Sequence, residues 1–278
     1  MPPRSSRAVA SGLSALVAVV LASVAARAVD PYEIQVYDGS ANAPAVPGVE
    51  LHVNTTPSGQ KTAPAPELPP HAQTHITLEP SLGILPWWEM GAYLQTTLRG
   101  DGVFDYAGVK LRSKFVMPRE WHPHWRLGVN FEISRLPEAY DRNRWGTEVR
   151  PIVGWDDERW VVVLNPILDT ALAGPESDEG PSLEPAFMAK LKIGGIVALG
   201  IEYYANFGPV AHFEPWDEQE HYLYEAADLL SVDRVELNAA IGEGLTPSSN
   251  ALVIKVIVGY AWDQPASPPQ TSALLRSR

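Results

Sequence analysis

From about residue 48 onward the chain alternates apolar and polar residues in runs of about ten, and this period of two constrains the fold more than any other feature. In 73–84, Thr74, Ile76, Leu78, Pro80, Leu82 and Ile84 fall on one face, with Gln73, His75, Thr77, Glu79, Ser81 and Gly83 on the other. In 107–116, Ala107, Val109, Leu111 and Phe115 oppose Lys110, Arg112 and Lys114. In 124–134, Trp125, Leu127, Val129, Phe131 and Ile133 oppose His124, Arg126, Asn130 and Glu132. Successive side chains of a strand point to opposite faces, so each run reads as a strand with one apolar and one polar side. About twelve such runs are present, near 48–56, 73–84, 87–99, 106–116, 124–135, 144–155, 159–170, 183–193, 196–207, 220–230, 234–243 and 250–262.

Their length decides between two all-β classes. Strands in soluble sheets run about 5–6 residues, whereas a tilted strand needs about 9–11 to cross a bilayer. The links alternate as well: Leu85-Pro86, 117–123, 156–158, Gly194-Gly195 and 231–233 are short, while 57–72, 171–182 and 208–219 are long. Short turns on one side and longer loops on the other, with an even strand number, describe a closed antiparallel transmembrane β-barrel whose short turns are periplasmic. Tryptophan adds to this, because aromatic residues collect at membrane–water interfaces. Trp87, Trp88, Trp121, Trp125, Trp155, Trp160, Tyr260 and Trp262 fall beside the short turns or at the last strand end. Tyr106, Tyr140, Trp145, Trp216, Tyr222 and Tyr224 are assigned to the opposite rim.

The averages conceal this arrangement. A mean hydropathy of -0.10 resembles a soluble protein, and no stretch after the N-terminus is long and apolar enough for a membrane helix. The chain has no cysteine, which excludes disulfides, thiolate metal sites and a Cys nucleophile. A net charge of -12 argues against nucleic acid as a partner. Arg4 and Arg7 precede an uncharged stretch, Ala8 to Ala26, which ends in Ala26-Arg27-Ala28. This reads as a signal peptide, 1–28, cleaved after Ala28. Its removal takes three arginines and no acid, leaving 18 basic against 33 acidic residues, net -15. The expected organisation is a leader at 1–28, a periplasmic N-terminal segment at 29–47 with Ile34 and Val36 alternating with Glu33 and Gln35, a barrel at 48–262, and a disordered Pro/Ser tail at 263–278.

The last strand, Ala251-Leu-Val-Ile-Lys-Val-Ile-Val-Gly-Tyr-Ala-Trp262, resembles the closing strand of bacterial outer-membrane barrels, which ends in an aromatic; here a tail follows it. Tyr32-Glu-Ile-Gln-Val-Tyr-Asp38, Phe104-Asp-Tyr-Ala-Gly108, Val149-Arg-Pro-Ile152 and Glu202-Tyr-Tyr204 are similar to segments of a group of functionally uncharacterised, porin-like outer-membrane barrels of Gram-negative bacteria. The resemblance implies a fold, an outer-membrane location, lipid contact and handling by the barrel-assembly machinery. It implies no substrate.

The polar face is expected to line the lumen. It carries Glu79, Glu89, Lys110, Arg112, Lys114, Arg126, Asn130, Glu132, Glu148, Arg150, Glu184, Lys190, Lys192, Glu202, Glu225, Glu236 and Lys255. A Lys or Arg facing lipid at midplane costs about 2–4 kcal/mol, so the charges belong inside. Pairing about the turns places Lys114 opposite Arg126, Lys110 opposite Asn130, Asn130 opposite Arg150, Glu132 opposite Glu148 and Glu89 opposite Lys114. Val161, Val163 and Ile167 form the best apolar patch on the inner face. Two functions follow: a passive channel for small solutes, or a non-conducting structural or adhesion barrel with a salt-bridged filling. An outer-membrane hydrolase and a soluble periplasmic binder are remoter alternatives. G-x-S-x-G, H-E-x-x-H and Walker motifs are absent. His122-Pro-His124 is a weak metal candidate, and His75 and His221 are inward candidates for a general base, near Glu79 and Glu225 in sequence, without a nucleophile. No cofactor and no catalytic residue are expected.

Overall fold

The computed structural model describes residues 29–232 and 234–262; the leader expected at 1–28 and the tail expected at 263–278 lie outside them. Fourteen strands follow one another, with no helix among the described residues: β1 (Pro47–Ser58), β2 (Thr74–Leu85), β3 (Trp88–Leu98), β4 (Phe104–Val116), β5 (Trp125–Arg135), β6 (Trp145–Asp156), β7 (Trp160–Asn165), β8 (Leu168–Ala173), β9 (Ser182–Leu183), β10 (Ala186–Ile193), β11 (Val197–Asn206), β12 (Glu220–Leu229), β13 (Val235–Gly244) and β14 (Leu252–Ala261). Each pairs antiparallel with its neighbours, and β1 pairs with β14 from Gly48↔Ala261 to Ser58↔Leu252. The wall is therefore closed. β7 and β8 are two halves of one spanning strand divided at Pro166-Ile167, and β9 and β10 two halves of the next, divided at Glu184-Pro185. Counted this way the barrel has twelve strands, as the alternation predicts.

The period of two becomes the inside and outside of the wall. Leu94 is 47% exposed and Leu111 59%, on an outer surface that also carries Leu51, Leu78, Leu127, Phe131, Ile133, Leu164, Leu199, Ile201 and Val258. So much contiguous apolar surface is foreign to a soluble monomer and matches a lipid-facing belt. At the short-turn rim, Trp87, Trp88 and Phe115 stack at 6.0–6.5 Å. Trp125 meets Trp155 edge-on at 5.5 Å, and Tyr260 meets Trp262 at 5.0 Å.

Some details depart from the sequence reading. A bulge at Gly108, with φ +140°, shifts the β3–β4 register between Gln95 and Thr96. Ala107 is consequently fully buried inside with Tyr32 and Leu136, not on the outer face. β4 and β5 pair as Lys114↔Asn130, Arg112↔Glu132 and Lys110↔Ser134, a four-residue slip from the expected Lys114–Arg126 pairing. The reason is the asymmetric turn: Met117 N bonds Leu127 O, and His122 Nδ1 accepts from Trp125 N, so the hairpin pivots nearer to β5. The slip is even, so no side chain changes face. Glu89↔Lys114, Asn130↔Arg150 and Glu132↔Glu148 are as expected.

Candidate functional site

The lumen is not empty. Residues 29–46, placed by sequence at the periplasmic mouth, run through the barrel interior and join β1 at its short-turn end. Val29 N reaches the Glu220 carboxylate at 3.3 Å, at the long-loop end of β12. Tyr32 sits one step lower, with its hydroxyl 2.8 Å from Thr97 Oγ1 and its ring edge-on to His75 at 4.7 Å. The segment leaves at the other end, where Asn42 N donates to Glu89 at 2.6 Å and Ala45 N to Gly83 O at 2.8 Å. A Cβ on Gly83 would stand 2.2 Å from Ala43 O, so the exit needs glycine there.

Above that exit no ladder holds this segment; the side chains of the wall bond its backbone instead. Lys255 Nζ donates to Ile34 O at 2.9 Å, Arg150 to Gln35 O at 3.1 Å, and Asn165 both accepts from Tyr37 N at 2.7 Å and donates to Tyr37 O at 3.1 Å. The alternation expected at 33–36 serves a two-sided lumen. Ile34 and Val36 join an apolar cluster with Ile152, Val163, Ile167, Met188, Tyr204, Tyr222 and Tyr224. Glu33 and Tyr37 meet the charged side.

That side is a lattice of ion pairs. Lys110 bonds Asp30 and lies 3.4 Å from Glu33 and 3.2 Å from Glu132. Arg150 bonds Glu148 at 2.6 Å and reaches Glu33 at 3.5 Å. Tyr37 donates to Glu33 at 2.6 Å, touches the Tyr93 hydroxyl at 2.5 Å, and carries Arg150, Lys114 and Arg112 over its ring at 4.3, 5.3 and 5.8 Å. Arg112 bonds Glu79 at 2.5 Å and comes within 2.8 Å of Glu89, which Lys114 approaches at 2.9 Å. Asn130 donates to Glu132 at 2.7 Å. Across the lumen Lys255 and Lys190 share Glu202, the latter at 2.7 Å, and Lys190 also bonds Asp228. Near the periplasmic rim Asp156 takes Arg126 at 3.0 Å and Lys192. Glu184 accepts from Asn206 at 3.0 Å.

Below the segment lies a cavity of about 410 Å³, roofed by Gln35, Val36 and Tyr37 and reaching the short-turn end at Arg119, Leu230 and Val232. Glu50, Asp228 and Glu236 bring acid to its wall, and Lys114, Arg119 and Lys192 bring base. Of the residues expected to point into the lumen, Glu225 and His221 are misplaced. Glu225 is exposed on the outer face, level with Ile201 and Ile241. Glu220, His221 and Tyr222 are all buried, which blurs the parity at the start of β12. The actual inward set is Tyr222, Tyr224, Ala226 and Asp228, so Tyr222 and Tyr224 belong to the lumen and not to a rim girdle. His221 is on the outer side, stacked under Trp216 at 4.5 Å and bonded to the Tyr203 hydroxyl at 2.6 Å. His75 bonds Gln73 at 3.1 Å, not Glu79. His122 and His124 use Nδ1 on turn backbone, the latter on Asp156 O at 3.1 Å.

Among the described residues Glu50, His52 and Glu79 are the group able to hold a metal ion, their ligand atoms within 4.8 Å of one another. Arg112 and Gln35 already occupy oxygens of the two carboxylates. Sequence reasoning missed the lumen segment. Its signal was a two-sided stretch, 32–38, that a closed even barrel cannot accept as another wall strand.

No protein-family model matches the chain, and no curated protein matches it. Solved structures do. An outer membrane channel from Pseudomonas putida F1 shares 12% identity over 83% of this chain and 100% of its own, with a TM-score of 0.57. The KdgM porin shares 8% over 77% and 98%, at 0.49. The translocator domain of autotransporter NalP from Neisseria meningitidis shares 10% over 80% and 90%, at 0.45. At these identities the likeness concerns the fold. The likeness to the first of these, together with the apolar belt and aromatic rim, makes this chain a transmembrane β-barrel, porin-like in architecture.

Proposed function

We propose that the protein is an outer-membrane channel for small solutes whose lumen is shut by its own N-terminal segment. The observation that supports this most is the charge-lined cavity that rises from the periplasmic end and stops at residues 35–37. Between residues 29 and 44 the stopper is held by side chains and contributes nothing to the wall ladder, its backbone bonds to Gly83 lying at Ala45 and Val46 beside β1, so withdrawing it leaves the strand-to-strand hydrogen bonds intact. Withdrawal also removes Asp30, Glu33 and Asp38. The β2–β6 face then presents Lys110, Arg112, Lys114, Arg126 and Arg150 against Glu79, Glu89, Glu132, Glu148 and Asp156, a charge-lined wall along which small polar solutes can pass.

The test is deletion of residues 29–46 and conductance in planar bilayers. The full barrel is expected to conduct little, and the deletion variant to conduct steadily. A deletion variant that folds, shown by heat-modifiable gel mobility, yet gives no channels would leave the non-conducting barrel as the better reading. The interlocked ion pairs of the lumen favour that second reading.

A further inference from the structure

One interruption of the wall is built from proline. β6 pairs with β7 from Val153↔Leu164 and with β8 up to Val149↔Leu168. Between these pairs Pro151 stands opposite Pro166, and no ladder pair forms over the three positions. On its other side β6 pairs with β5 without a break through Val129↔Pro151. Further round, Asn165↔Ala186 and Leu168↔Leu183 set Pro185 level with Pro166. Three prolines thus stand in a transverse row on three neighbouring strands. All three have outward parity. Pro151 is six residues from Trp145 and four from Trp155, which puts it about 15 Å and 10 Å from the two rims once strand rise and tilt are applied.

A gap in a ladder at that depth normally strands N–H groups that have no water to turn to. Proline has no N–H, so it is the residue with which a hydrocarbon-facing wall can be left unpaired. The surrounding donors are satisfied locally: Ile167 N turns back to Asn165 O at 3.0 Å, and Glu184 N bonds Ile167 O at 2.9 Å. Behind the row Ile152, Val163 and Ile167 are buried in the apolar cluster of the inner face, interleaved with Arg150, Asn165 and Glu184. Val161 and Met188 continue the apolar part of that surface into the cavity, and a void of about 20 Å³ touches Ile167 and Pro185 beside Glu148, Arg150 and Glu184.

We propose that the wall between β6 and β7–β8 opens laterally and passes small apolar, lipid-soluble molecules between the cavity and the hydrocarbon core. This does not depend on axial conduction. The chain has no cysteine, so Val163→Cys is a clean reporter behind the gap. The full barrel carrying it is placed in vesicles containing a phospholipid with a maleimide at the end of an acyl chain. Labelling is expected. Adding Pro151→Val and Pro166→Val, which restores two donors to the ladder, is expected to slow labelling at least tenfold; Pro166→Val alone shifts it in the same direction. Leu164→Cys, facing lipid beside the gap, labels in parent and healed walls alike and verifies folding and reagent. Equal labelling of the Val163→Cys thiol in parent and healed walls, or none in the parent, overturns the proposal. Conductance of the segment-deleted barrel stays unchanged by the healing substitutions, which separates this result from the channel reading.

Discussion

Tyr37 is the residue on which closure of the lumen turns, and Tyr37→Ala isolates its contribution. The ring is buried, its hydroxyl bonds Glu33 and Tyr93, and three cations lie over its face. Truncating a buried aromatic to alanine costs about 3–5 kcal/mol. Here the loss falls only on the seated segment, because Tyr37 belongs to no strand and the wall ladder is untouched. At about 1.4 kcal/mol per decade, the ratio of withdrawn to seated segment rises by roughly two to three and a half orders of magnitude. Tyr37→Phe keeps the ring under the cations and loses two hydroxyl contacts worth about 1 kcal/mol each, a rise of about tenfold to thirtyfold. Single-channel recording gives the open probability directly, and gel mobility shows that both variants are folded. The reasoning fails if Tyr37→Ala opens no more often than the parent while the 29–46 deletion conducts.

Three further outcomes are expected. Lys255→Met removes a cation that is 1% exposed and bonded to Glu202, Ile34 O and Tyr204; breaking a buried pair costs about 3–5 kcal/mol, seen as a lower urea midpoint in vesicles, with part of the loss recovered by adding Glu202→Gln. Leu94→Arg, in the outer belt midway along β3, destabilises insertion by about 2–4 kcal/mol, measured by folding into phosphocholine bilayers. In the β6–β7 turn, the Trp155 indole and the Trp160 and Arg159 amides hold the Asp157 carboxyl at about 2. A lowered value gives stability that is present above about pH 4 and lost as pH falls toward 2. Asp157→Asn flattens that acid limb, compared at pH 5 and pH 2.5.

The fold was legible because membrane strands must sort their residues by face over the whole bilayer, and Leu94 beside Gln95 or Leu111 beside Arg112 shows that sorting directly. Long-range register was less so. The β4–β5 slip follows from how His122 folds the turn, a local bond that leaves alternation unaltered. Glu225 reads as inward only if charge and parity agree, yet the buried run Glu220-His221-Tyr222 carries two side chains inward and one under Trp216. The lumen segment was hidden for a different reason: its partners are side chains from many strands, and no period in its own sequence announces them. Pro151, Pro166 and Pro185 were visible one at a time; only the pairing of the strands sets them level.

The path of residues 29–46 also bears on how the barrel is made. This stretch precedes β1 in the chain, while the contact that closes the cylinder, β1 with β14, joins the two ends of the wall. Passing Tyr32 and Tyr37 upward through a finished cylinder would mean threading both rings past Lys110, Arg150 and Lys255, which hold the seated segment. Wrapping the sheet around a stretch already in place avoids that. The N-terminal stretch then works as a former on which the sheet is rolled, in place before the β1–β14 seam is made.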